Sequence, residues 1–165
     1  MSDPVQPPAD TLNEIGVLKR REIEARIVAP LIECFAAEFG RDRVVELARE
    51  VVVDVARRQG AAFSRQVGAD DLGTFADGLE MWTREDALRI DVVERTDTTF
   101  AFNVTRCRYA EMYRALGVPE LGEILSCNRD GSMIEGFNGS IRFGRTQTIM
   151  QGASHCDFRY TLDEA

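Results

Sequence analysis

The chain has 165 residues, 44% of them hydrophobic, with a formal net charge of −8, which suits one ordinary domain with a real core. The acidic balance opposes non-specific attachment to nucleic acid or to an anionic membrane surface, since both attract Lys and Arg patches. No apolar run reaches the ~20 residues that span a bilayer, and the opening MSDPVQPPAD lacks the basic and apolar regions of a secretory signal.

Residues 1–10 are Pro-rich and polar and read as a mobile tail, leaving 11–165 as a single domain. Over 12–39, Ile15, Leu18, Ile23, Ile27, Leu31, Ile32 and Phe35 recur at helical spacing. Pro30 is expected to kink or divide that helix because it lacks a backbone donor, and Gly40 to stop it. A second helix over 41–58 carries Val44, Leu47, Val51, Val52 and Val55 on its apolar stripe, with Gly60 closing it and 61–67 continuing or restarting it. Asp70 and Asp71 are placed to cap a short third helix through Leu72, Phe75 and Leu79.

The period then changes from helix to strand. Leu88, Ile90 and Val92 alternate with polar residues, and so do Phe100, Phe102 and Val104, with Thr96 and Asp97 between them: a β-hairpin. Helical spacing returns over 107–116 and again over 120–127. The end reads as a meander of strands 132–137, 140–150 and 155–162, with Asn138-Gly139 as a hairpin turn. The fold class is therefore α+β: N-terminal helices, then a mostly antiparallel sheet with two short inserted helices.

Reactive side chains gather in RTQTIMQGASHCDFRY, residues 145–160. This stretch holds the only histidine, His155, followed by Cys156 and Asp157, with arginines near both ends. In a regular final strand His155, Asp157 and Arg159 face one side, and Cys156, Phe158 and Tyr160 the other. A bulge after Gly152 would relax that separation.

This stretch, together with TRCRYAEMYRALGVPELGEILSCNRD from Thr105, resembles the L-2-amino-thiazoline-4-carboxylic acid hydrolases. The resemblance covers roughly the C-terminal half. It implies hydrolytic opening of a small cyclic isothiourea or amidine carboxylic acid to an N-carbamoyl amino acid such as N-carbamoyl-cysteine. A more distant likeness, in Gly152-x-x-x-Cys156-x-Phe158, is to the 4-vinyl-reductase-type small-molecule-binding domain, which also serves as a sensor. That likeness implies helices first and then a sheet. The sensors place a structural zinc on a glutamate and two cysteines. Arg145 and Thr148 stand at two of those positions here, so that metal site is not inherited intact.

Such hydrolysis needs a base or nucleophile, a partner for the amidine and an anchor for the carboxylate. Histidine is the usual side chain for general-base work, which makes His155 the natural base. Glu111 or Asp157 can hold the amidinium. Arg145 or Arg159 can clamp the carboxylate, with Thr148 and Asn128 as further binding residues. Cys34 is expected to be plain core.

Cys107 opens a helix, where the dipole lowers a thiol pKa, and Glu111 four residues on would share its face. Cys127 suits a pocket wall. Cys107, Cys127 and Cys156 are thus alternative nucleophiles, or with His155 a site for zinc or manganese. The residues fix no cofactor, and a divalent metal, zinc or manganese, is the candidate. Glu120 and Asp130 read as cap or turn residues.

The expected partner is a small molecule, with neither nucleic acid nor membrane. The expected location is the cytoplasm, where four cysteines without a CxxC pair stay reduced. A homodimer through the N-terminal helices follows from the sensor likeness. The rival function is a non-catalytic sensor-type binding domain. An interaction protein on the same fold would need an exposed apolar face.

Overall fold

A computed structural model describes residues 10–163. The tail assigned to 1–10 therefore lies, apart from Asp10, outside the described residues. After a short 3-10 turn at Leu12–Ile15, two long helices follow: α1, Val17–Phe39, and α2, Arg41–Val67. Pro30 does not divide α1. Pro30 and Arg26, whose carbonyl the missing donor leaves unpaired, lie on the exposed side, open to solvent. Nor does Gly60 end α2, which runs on to a left-handed Gly68 (φ 71°).

Gly60 has a different task. A Cβ there would lie 1.9 Å from the Met133 carbonyl oxygen, and one at Gly136 would lie 1.9 Å from that of Arg57. These two glycines let α2 cross α7, Arg129–Phe137, in backbone contact. That crossing overturns the strand expected over 132–137. Ile134 and Phe137 are buried at helical spacing, and Asn138-Gly139 turns a helix into a strand rather than joining two strands.

Between the helices, α3 (Leu72–Asp77) starts on Asp71, whose Oδ1 accepts the Thr74 backbone N–H at 2.9 Å. The short α4 (Glu80–Thr83) follows. The hairpin forms as expected from β1, Leu88–Arg95, and β2, Thr99–Cys107. Two register shifts bend β1, and Val92 is 56% exposed instead of half-buried. Next come α5 (Arg108–Ala115) and α6 (Pro119–Gly122), which runs into a π-helical turn at Glu123–Cys127. After α7, β3 is only Ile141–Gly144 and β4 is Cys156–Leu162. The long strand expected over 140–150 breaks at Gly144, and 145–155 loops back.

The four strands form one antiparallel sheet in the order β1-β2-β4-β3. Phe102 pairs with Phe158 and Phe100 with Tyr160, so one sheet face is aromatic and packs on Phe75, Ile134 and Phe137. Each such ring, fully buried, contributes roughly 1.5–3 kcal/mol. A second cluster joins α1, α2, α5 and α6 through Ala25, Ile32, Val52, Tyr113 and Leu121.

Most of the apolar stripe read on α1 points outward, although its Ile32 is buried as expected. Val17, Arg20, Arg21, Ala25, Ala29 and Ile32 are buried, while Ile23, Ile27 (59%), Leu31, Phe35 and Phe39 (66%) are exposed. Cys34, expected in the core, is exposed as well. The helix buries its small-residue side because α2 and α5 pack close against it, and the larger side chains are left outside. Among the described residues no helix is long and apolar enough to cross a membrane.

Candidate functional site

A cavity of about 90 Å3 opens between the aromatic face of the sheet and the helices. This is room for several waters or a small ring. Phe102, Val104, Phe158 and Tyr160 form its floor, and Phe75, Leu79 and Trp82 form an apolar side. The polar side comes from Arg21 of α1, Gln59 of α2, Arg129 and Asp130 at the start of α7, and Arg145 just after β3.

The chain reaches this arrangement through two local irregularities. The π-helical turn at Glu123–Cys127 shifts the phase at which α7 begins. The end of β3 at Gly144 frees Arg145 from strand geometry. Arg145 then pairs its Nη1 with the Asp130 carboxylate, donates from Nη2 to the Cys127 carbonyl at 3.1 Å, and lies 5.2 Å from the Phe158 ring centroid.

Burial drives the Asp130 carboxyl upward, and the pull of Arg145 does not fully reverse it, so its pKa is raised. Asp130 keeps 29% of its side-chain surface accessible, and it lines the cavity. A carboxyl raised above its ordinary pKa and facing a cavity is suited to exchange a proton with a bound molecule.

Cys107, Cys127 and Cys156 all line the cavity, from three separate elements. None is poised as a thiolate. Burial lifts Cys107 to about 11 although the Ala110 N–H donates to its sulfur at 3.4 Å, so the expected lowering by the helix start is outweighed. Burial, then Asp130, pushes Cys127 far above the thiol range, and burial raises Cys156, whose sulfur accepts the Ile149 N–H at 3.1 Å.

The expected metal set of Cys107, Cys127, His155 and Cys156 does not converge. Among the described residues no three His, Cys, Asp or Glu side chains are grouped to hold a metal, and His155 is not part of the cavity wall. The residues present do not fit zinc or manganese.

Strand alternation is obeyed, and it sorts the remaining candidates. Cys156, Phe158 and Tyr160 face the cavity, whereas Asp157 and Arg159 face away. His155, just before β4, lies 3.1 Å from the Gln147 amide and 3.0 Å from the Ser154 hydroxyl. Asp157 receives the backbone N–H groups of Thr146 (3.0 Å) and Gln147 (2.9 Å) and the Thr146 hydroxyl (2.6 Å). Burial would raise its pKa, but these bonds prevail and hold it below the usual carboxylate range.

Arg159 is engaged on the outer face with Asn103 and the Phe102 carbonyl. Thr148 is buried and ties the turn through Gln151. The Asn128 amide nitrogen is buried without a partner among the described residues. Glu111 does not share a pocket with Cys107. Cys107 precedes the helix, so the four-residue spacing does not align them, and Glu111 pairs instead with Arg106 at the surface.

The family model for L-2-amino-thiazoline-4-carboxylic acid hydrolase matches residues 20–160. The chain belongs to this family. The match takes in every polar side chain of the cavity, from Arg21 to Arg145. No curated protein matches the chain.

Among solved structures it is similar to the phenol-responsive sensory domain of the transcription activator PoxR, solved with phenol. The identity is 13% and the TM-score 0.52, over 82% of this chain and 72% of that one. It is also similar to a trafficking protein particle complex subunit 3 from Naegleria fowleri, solved covalently bound to palmitic acid. There the identity is 10% and the TM-score 0.52, over 88% of this chain and 96% of that one. Likeness at such identities is one of fold alone, and it agrees with helices followed by an antiparallel sheet.

Within this hydrolase family member, sequence reasoning missed Arg21, Arg129 and the role of Asp130. Asp130 does sit in the first turn of α7, but it is paired inside the cavity rather than acting as a turn residue. One signal was present. Arg21 occupies the four-residue series Val17, Arg21, Ala25, Ala29, and an arginine in an otherwise apolar series has a buried purpose.

Proposed function

We propose that this protein is a hydrolase that opens a small cyclic isothiourea or amidine carboxylic acid, of the L-2-amino-thiazoline-4-carboxylate kind, to an N-carbamoyl amino acid such as N-carbamoyl-cysteine. The observation that carries the reading is the Asp130–Arg145 pair, held in a small cavity between an aromatic floor and a polar side. Family membership supports the reaction class.

Asp130 takes the role of base that sequence reasoning assigned to His155. The substrate enters as its amidinium. A water transfers one proton to Asp130 as its oxygen bonds to the carbon between the two nitrogens and the sulfur. When that carbon becomes a carbonyl, the carbon–sulfur bond breaks with its electron pair on sulfur, and the second water proton ends on sulfur as the thiol. The proton on Asp130 then returns to solvent. Arg145 holds the carboxylate in place and favours its ionised form. Because the cavity thiols are protonated, a water-based route is favoured over a covalent one.

Purified protein incubated with L-2-amino-thiazoline-4-carboxylate should release thiol detectable with a chromogenic reagent, and Asp130→Asn should slow that release by about 10²–10⁴-fold. No release by the wild type would remove this substrate, and undiminished release by Asp130→Asn would remove the assigned base.

A second reading, binding without turnover, is favoured by the position of His155 outside the cavity and by the protonated thiols. In that case the same cavity holds its ligand unchanged. We also propose a cytoplasmic location, supported by four free cysteines, and a homodimer through the exposed stripe on α1, since contiguous apolar patches of this kind mark contact surfaces.

A further inference from the structure

Asp130 and Arg145 satisfy one another, so the cations left facing the cavity are Arg21 and Arg129. Both are deeply placed, with side chains 7% and 12% exposed. Arg129 donates to the Leu125 carbonyl (2.8 Å), to Gln59 (3.2 Å) and to Glu24 (3.3 Å). Arg21 reaches the same Glu24 oxygen at 2.6 Å and makes no other hydrogen bond among the described residues. Glu24 is also bonded by Arg20 at 3.0 Å, and Asp10 receives Arg20 from its other side.

Three guanidinium groups, Arg20, Arg21 and Arg129, thus share two carboxylates, Asp10 and Glu24. Among the described residues, one positive charge of these largely buried guanidinium groups is left without a counter-ion. The strain shows on Arg129, which burial first, and then repulsion by Arg21, bring down to about 10. A buried charge is tolerated only when paired, and the open side of this cluster is the cavity.

We propose that Arg21 and Arg129 are the anchor for a ligand carboxylate, so that the cavity selects small monocarboxylic acids whose ring lies against the aromatic floor with its far end towards Asp130. Arginine suits the task because its planar fork matches a carboxylate. Arg145, the clamp expected from sequence, is already occupied by Asp130 and the Cys127 carbonyl. The inference rests on reading this cavity as the ligand site, but it does not require turnover.

The test compares thiazole-4-carboxylate, which cannot be opened by the proposed reaction, with its primary amide, on the full chain by calorimetry and thermal shift. The acid should bind at least tenfold more tightly than the amide and should raise the melting temperature. Arg21→Met and Arg129→Met should each weaken the acid tenfold or more and leave the amide unaffected, and Arg21→Lys should restore part of the loss. Inorganic phosphate should not compete, because the anchor opens only into a cavity with an apolar floor.

Equal affinity for acid and amide in the wild type, or no binding of the acid, would overturn the proposal even if the methionine variants fail to fold. Acid binding without any thiol release from the thiazoline substrate leaves the anchor standing and removes only the hydrolase reading.

Discussion

Arg145 and Asp130 lie 15 residues apart in sequence, on the loop after β3 and in the first turn of α7, and they form an ion pair against the cavity. Neither is satisfied without the other: removing one leaves an uncompensated charge in a site shielded from water. Most of what can be tested about this protein follows from that pair and from the loop that delivers Arg145 to it.

The first prediction concerns pH. Asp130 must be ionised to accept a proton from water, and its folded pKa is raised above 3.8. Thiol release should therefore rise with pH through a limb lying above the ordinary carboxylate range, and Asp130→Asn should lower kcat by about 10²–10⁴-fold. The unfolded carboxyl ionises first, so stability contributed at this site falls as pH rises from 3.8 to the folded value. Rate profiles and melting curves across that window check both signs, and an acid limb at or below 3.8 would contradict the assignment.

A second prediction separates the cysteines. Cys34 is exposed, while Cys107, Cys127 and Cys156 are buried to different degrees with raised pKa values. Iodoacetamide at neutral pH should modify Cys34 rapidly and the other three only after denaturation, read by mass spectrometry. Rapid native labelling of Cys127 would restore thiolate chemistry to the cavity.

The loop over 145–155 depends on Asp157, which gathers two backbone donors and one hydroxyl. Asp157→Ala should destabilise the fold by about 1–3 kcal/mol and disturb Arg145 without touching the cavity directly. Because the folded carboxyl is held below 3.8, its stabilisation is fully present above that value and is lost as pH falls through the folded pKa. Acid titration of wild type and variant should converge at low pH.

The exposed stripe on α1 predicts self-association. Light scattering should report a dimer, and Ile27→Glu, which puts a charge in the middle of the stripe, should give a folded monomer with unchanged secondary structure. A monomeric wild type at tens of micromolar would leave the stripe without this partner.

Much of the architecture was legible because it rests on local rules. The Asp71 cap, the β1–β2 hairpin and the alternation that sends Cys156 inward and Asp157 outward all follow from residue type and spacing over a few positions. Where a reading failed, a distant neighbour had the deciding influence. The stretch 132–137, next to an Asn-Gly pair, reads as a strand, but Gly136 and Gly60 let α2 lie against it as a helix. The bulky stripe of α1 looks like core, but packing against α2 and α5 selects the small-residue side.

The amino-acid sequence by itself determined an α+β chain with helices before the sheet, and through its C-terminal motifs the hydrolase family. Tertiary structure alone decided which charges meet. Arg21, Arg129, Asp130 and Arg145 come from α1, α7 and a loop, and their charges act through space, so no spacing along the chain records them. His155 has the more suggestive chemistry on paper. Burial beside a single counter-ion makes Asp130 the group with the more suitable environment.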